Sequence, residues 1–148
     1  MNSIPPTPAA SSDQAMWAKV LTLHAYVERQ LTQALQRRHG VGLSEFRALE
    51  CLVHADEGEL RMQDLADRVG LGQSSVTRLV GRLFAAGFAV RDLCPDDKRG
   101  VYAVITEDGR RRYTDARATY ADVLSAALNA AGATAELAPT VQALRSAP

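Results

Sequence analysis

The chain is poor in cysteine, lysine and aromatic residues, and it has no surplus of charge of either sign. Cys51 and Cys94 are its only thiols, which argues against a disulfide-stapled scaffold and for a reducing compartment. No run approaches the ~18–20 uninterrupted apolar residues that a membrane-crossing helix requires. The opening stretch MNSIPPTPAASSDQ has neither a basic n-region nor an apolar h-region, so no secretory leader is expected and the cytoplasm is the expected location. Basic and acidic residues both number 17, for a formal charge of zero. That balance argues against a general polyanion binder, yet it leaves room for a local basic face. Lys19 and Lys98 are the only lysines against fifteen arginines, a bias most simply explained by genome base composition. His24, His39 and His54 are scattered, and no Cys/His spacing suggests a metal site, so neither metal nor cofactor is expected. Catalytic signatures are missing as well: there is no nucleophile elbow, phosphate-binding glycine loop, HExxH or Cys–His pairing. An enzyme is not expected.

What is present is mainly helical. Residues 1–12 are rich in Pro, Ser and Ala and read as a disordered lead-in. From Asp13 to His39, Trp17, Val20, Leu21, His24, Val27, Leu31, Ala34 and Leu35 recur at spacings of three and four, the period of an amphipathic helix. Gly40 and Gly42 interrupt it. Ser44 then offers an N-cap for a helix from Glu45 to about His54, with Phe46, Leu49, Leu52 and Val53 inward. Residues 56–59 read as a turn, and two short helices follow at about 63–69 and 74–86, separated by Gly70-Leu71-Gly72 and closed by Gly87. The period then changes to that of a β-hairpin, with strands at 88–94 and 101–105 around a charged tip. Thr106 can cap a helix reaching about Ala130. A shorter helix is expected around Glu136–Leu144, with Pro139 in its first turn.

The two short central helices and their glycine turn have the grammar of a helix-turn-helix, in which the second helix is held proud of the surface. At about 100° per residue, Leu79, Val80 and Leu83 fall within about 60° of Val76 and define a packed side. Ser74, Ser75, Thr77, Arg78, Gly81 and Arg82 occupy the opposite side. Short hydroxyls and guanidiniums are the groups that duplex DNA demands, for phosphates and for base edges in the major groove. Between Arg68 and Arg91 there are four arginines and no Asp or Glu. An ordinary solvated helix would mix both signs at i,i+4. The hairpin that follows carries Lys98 and Arg99 at its tip, where an arginine can enter a narrow minor groove. Asp97 is close enough in sequence to orient Arg99 through a charge-assisted hydrogen bond.

The string LADRVGLGQSSVTRLVGRLFAAGF, followed by VR, DDKRG and ITEDGR, resembles the MarR family of winged helix-turn-helix regulators. The likeness covers roughly residues 15–145. It implies a winged helix-turn-helix over 43–106 between an N-terminal dimerisation helix at 13–39 and C-terminal dimerisation helices at 107–146. It further implies a homodimer that reads an inverted repeat of double-stranded DNA, typically a repressor released by a small aromatic or phenolic effector. Carried over position by position, Ser74, Ser75, Thr77, Arg78 and Arg82 match the recognition helix. Arg91 matches a phosphate-contacting strand residue, and Asp97 with Arg99 the wing pair. Two departures stand out: Met62 occupies a position where Ser or Thr often caps, and Gly81 lies where a longer polar residue is usual.

The long first helix and the terminal helices carry more apolar surface than a winged domain of about 65 residues can cover. Pairing of two chains covers it. Trp17, Val20, Leu21, Val27, Leu31, Tyr120, Leu124, Leu128, Leu137 and Leu144 are the candidate dimer residues. The resemblance would place Trp17, His24, Phe46 and Arg47 near an effector pocket, although an aromatic or His on an apolar stripe is more often core. Two alternatives stay open: a regulator that activates or works through a protein partner, and one in which oxidation of Cys94 pushes the hairpin off DNA. Cys51 reads as packing.

Overall fold

The computed structural model describes residues 8–93 and 100–148. Its elements are α1 (Pro8–His39), α2 (Leu43–Val53), β1 (Glu59–Arg61), α3 (Met62–Val69), α4 (Gln73–Ala86), β2 (Ala89–Leu93), β3 (Val101–Ile105), α5 (Glu107–Gly132) and α6 (Ala138–Ser146). The described residues group into two units, one drawn from residues 8–33 with 121–148 and the other from within residues 34–120. Among the described residues, no helix is long and apolar enough to cross a membrane.

In the unit of residues 34–120, the core is built by one face from each helix. Phe46, Leu49 and Leu52 of α2, Leu65 of α3, and Val76, Leu79, Val80 and Leu83 of α4 are fully buried. The stripes at i, i+3, i+4 converge as the periodicity requires. Behind them lies a three-stranded antiparallel sheet in the order β1-β3-β2. Ala103 of β3 stands between Leu60 and Arg91, and Tyr102 between Arg61 and Asp92. The alternation places Leu60, Ala89, Ala103 and Ile105 inward.

Strand β1 was not expected; the sequence suggested a single hairpin. Residues Glu59–Arg61 are too few to show a period of two. A single 3-10 turn, Asp56–Gly58, feeds the strand, with Glu57 at φ 57°. Helix α1 begins at Pro8 rather than Asp13. Proline is tolerated at the first helical position and Ala9-Ala10 are strong helix formers, so the low-complexity composition of that stretch misleads. The N-cap of α2 is Gly42, not Ser44; the Glu45 carboxylate accepts the Gly42 N–H at 3.1 Å, supplying the cap from inside the first turn. Thr106 caps α5 as expected, its Oγ1 accepting the Gly109 N–H at 3.0 Å while donating to the Gly87 carbonyl at 2.6 Å.

In the other unit, Leu23 of α1, Ala131 of α5, Leu137 just before α6 and Val141 of α6 form the core, with Tyr26, Val27 and Leu128 packed against it. Helix α6 starts at Ala138, two positions later than expected, with Pro139 in its first turn. Thr134 Oγ1 accepts the Leu137 N–H and donates to the Ala131 carbonyl, fixing the bend between α5 and α6.

Candidate nucleic-acid interface

Helix α3 ends on Gly70, which adopts φ 77° and returns its N–H to the Ala66 carbonyl at 2.9 Å. A side chain at this left-handed position would be strained. Gly72 then caps α4 in extended conformation. The turn is therefore short and rigid, and α4 is clamped by its buried Val76, Leu79, Val80 and Leu83. Its opposite face presents Ser74, Ser75, Thr77, Arg78, Gly81 and Arg82, all exposed.

Individual side chains on this face differ in how they are held. Thr77 Oγ1 donates to the Gln73 carbonyl at 2.9 Å, which leaves its hydroxyl oxygen as an acceptor. Arg91 of β2 lies with its guanidinium 5.7 Å from the centre of the Phe84 ring, so it stands beside α4 although it comes from a strand. Arg82 Nε donates to Glu45 Oε1 at 3.0 Å. The stretch that is free of acid along the sequence is thus not free of acid in space: α2 delivers a carboxylate to it.

A groove of about 410 Å³ opens between the starts of α3 and α4 and the sheet, bordered by Arg61, Gln63, Gln73, Thr77, Arg91 and Gly100. Arg61 is the N-cap residue of α3, so Met62 is the first helical residue and no side chain caps the helix. Arg61 Nε donates to the Tyr102 hydroxyl at 2.9 Å. The expectations singled out neither Arg61 nor Gln73; the signal available was an arginine directly preceding the first helix of the motif. Asp97, Lys98, Arg99 and Cys94 lie outside the described residues.

The expected effector residues fall in different settings. Trp17 is 62% exposed and His24 is exposed, with Nε2 3.6 Å from Glu28. Phe46 is enclosed, stacked on Tyr113 and Tyr120 at centroid distances of 5.3 and 4.8 Å, and it has no open face. Arg47 donates to the Tyr120 hydroxyl at 3.3 Å. Leu31 and Leu137 are buried within their own chain, and Tyr120 is engaged by Phe46 and Arg47. Of the candidate dimer residues, Trp17, Leu21 and Leu144 are more than half exposed. Burial pushes the Cys51 thiol above its ordinary value, with the Glu50 charge adding to it, as expected of a packing cysteine. Tyr113 is raised for the same reasons, its hydroxyl 3.5 Å from Glu50 Oε2. Among the described residues, no group of three or more His, Cys, Asp or Glu could hold a metal.

Two short helices joined by a left-handed glycine, followed by paired strands, define a winged helix-turn-helix protein. The MarR family model matches residues 39–100. The regulator MhqR of Bacillus subtilis is 35% identical over 72 residues, 49% of this chain and 48% of MhqR, and the chain spans about half the length or less of the curated relatives it matches. Sco3205 of Streptomyces coelicolor, a MarR family regulator crystallised in complex with DNA, superposes with a TM-score of 0.77 at 26% identity over 97% of this chain and 89% of that one. CouR from Rhodococcus jostii RHA1, crystallised with p-coumaroyl-CoA, gives 0.61 at 29% identity over 73% of this chain and 71% of its own. Over residues 39–100 the chain is thus similar to the MarR family, and the relatives named here are transcriptional regulators.

Proposed function

We propose that the chain is a DNA-binding transcriptional regulator, a homodimeric repressor of a pseudo-palindromic operator that a small aromatic ligand releases. The observation that carries the DNA reading is the exposed face of α4, where Ser74, Ser75, Thr77 and Arg78 stand on a helix immobilised by four buried aliphatic residues. A rigid helix with short hydroxyls and a guanidinium is what base-edge contact in a major groove requires. Arg91 beside it suits a phosphate, and Lys98 and Arg99 complete the assignment from the wing. The DNA complex of Sco3205 supports the same use of the fold.

Homodimerisation is supported by Trp17, Leu21 and Leu144, large apolar side chains left in water by the single chain. The aromatic acyl-CoA held by CouR supports an aromatic effector. The test is titration with the duplex upstream of its own coding region against a scrambled duplex, across a salt series. Selective binding that weakens steeply with salt is expected, because several phosphate contacts release counterions. Equal affinity for both duplexes would overturn the proposal. Addition of small aromatic acids and their thioesters to the bound complex tests the effector; a complex that none of them dissociates removes that part.

A further inference from the structure

Glu45 sits in the first turn of α2, yet its carboxylate joins two separate elements. Oε2 accepts the Gly42 N–H at 3.1 Å, and Oε1 accepts the Arg82 Nε–H of α4 at 3.0 Å. The Glu45 side chain is 21% exposed and that of Arg82 57%. The carboxylate is therefore the anchored partner, pinned by backbone, and the guanidinium hangs from it by one edge. A guanidinium is planar, with its donors in a fixed fork. A bond at Nε sets the plane and leaves the two Nη groups to donate elsewhere. Arg78, on the same helix face, has no acidic partner among the described residues.

We propose that Glu45 is a positioning residue for sequence selectivity, turning Arg82 from a mobile cation into an oriented donor. This rests on the reading that α4 enters a DNA groove. An unrestrained arginine attaches to any phosphate within reach of its stem, whatever the sequence. The Glu45–Arg82 pair is neutral in sum and releases few counterions. It offers a fork in a fixed place, which favours only a duplex whose acceptor arrives there. The carboxylate also repels phosphates that arrive elsewhere, a penalty on wrong partners.

The experiment compares wild type with Glu45→Ala, Arg82→Ala and the double variant, each titrated with operator and scrambled duplex over a salt series. In Glu45→Ala the operator-to-scrambled affinity ratio is expected to fall about tenfold. The salt slope on scrambled duplex should steepen by about one phosphate contact as Arg82 is released. Arg82→Ala should lower the ratio similarly without steepening the slope, and the double variant should match Arg82→Ala instead of compounding the losses. An unchanged ratio and slope in Glu45→Ala, or losses that multiply in the double variant, would overturn the proposal. Because Glu45 also caps α2, thermal unfolding is followed alongside, and Glu45→Gln supplies a milder change. A ratio that falls only in step with the melting temperature would make Glu45 structural and defeat the assignment. A wild type that prefers neither duplex defeats the DNA reading itself, whereas a selective wild type with an indifferent Glu45→Ala defeats only the positioning role.

Discussion

Gly81 lies in the interior of α4, with a negative φ and nothing within 4 Å of the position a Cβ would occupy. Glycine in such a place loses backbone entropy without gaining contact. Gly81→Ala is therefore expected to raise stability by about 1 kcal/mol in chemical denaturation; a loss would show that the helix needs the missing side chain. A second residue-level effect concerns Cys51 and Tyr113, both held toward their protonated forms by burial and by the Glu50 charge. The unfolded chain ionises them at their ordinary values of 9.0 and 10.0, lower than in the fold. Their contribution to stability is thus complete below pH 9.0 and is lost as the pH rises through the raised values. Urea midpoints measured from neutral pH to about pH 10.5 should fall on the alkaline side. In Cys51→Ala the fall should begin later, where Tyr113 acts alone; a decline identical to that of wild type would contradict the assignment to Cys51.

At the scale of the element, Gly109 shows what the sequence could not. A Cβ there would lie 2.2 Å from the Phe88 carbonyl oxygen and 2.8 Å from Ile105 Cγ1, so the first turn of α5 passes directly against the start of β2. Gly109→Ala is expected to cost about 3 kcal/mol, read as a lowered denaturation midpoint; a cost below about 1 kcal/mol would mean that the turn moves aside freely. The helices were legible because their apolar stripes repeat over two or more turns: Val76, Leu79, Val80 and Leu83 all occupy the side that the wheel assigns them. Helix termini were less legible. Gly42 caps α2 through the side chain of Glu45, a residue inside the helix, and Ser44, the better capping residue by type, lies within the first turn. Strand β1 escaped because its pairing with β3, Leu60 against Ala103, is a long-range fact that three residues of local sequence cannot encode. The candidate interface follows the same division. The exposed face of α4 could be read from periodicity alone, while the Glu45–Arg82 bond and the groove beside Arg61 arise only when separate elements meet.

At the scale of the whole molecule, the exposed apolar residues of α1 and α6 set the remaining question. Met16, Trp17 and Leu21 of α1 and Leu144 of α6 are half or more exposed, and Trp17 and Leu21 stand one helical turn apart on the same side of α1. Covering side chains of this kind is worth roughly 1.5–3 kcal/mol each, enough for a handful of them to hold two chains together against the loss of translational freedom. Since these residues contribute little to the core of their own chain, Leu21→Arg should leave the chain folded. Sedimentation at micromolar concentration is expected to shift from the proposed homodimer to a monomer. Operator affinity should fall by more than loss of Arg78 alone produces, because a monomer engages one half-site and forfeits the second, ~34 Å away along the duplex. Binding to a single half-site should be nearly unchanged. If Leu21→Arg, and Trp17→Asp beside it, sediment as wild type does, the exposed face of α1 is not where two chains meet; if they become monomeric yet hold the full operator as tightly as before, the two-fold arrangement is not what gives the protein its grip on DNA.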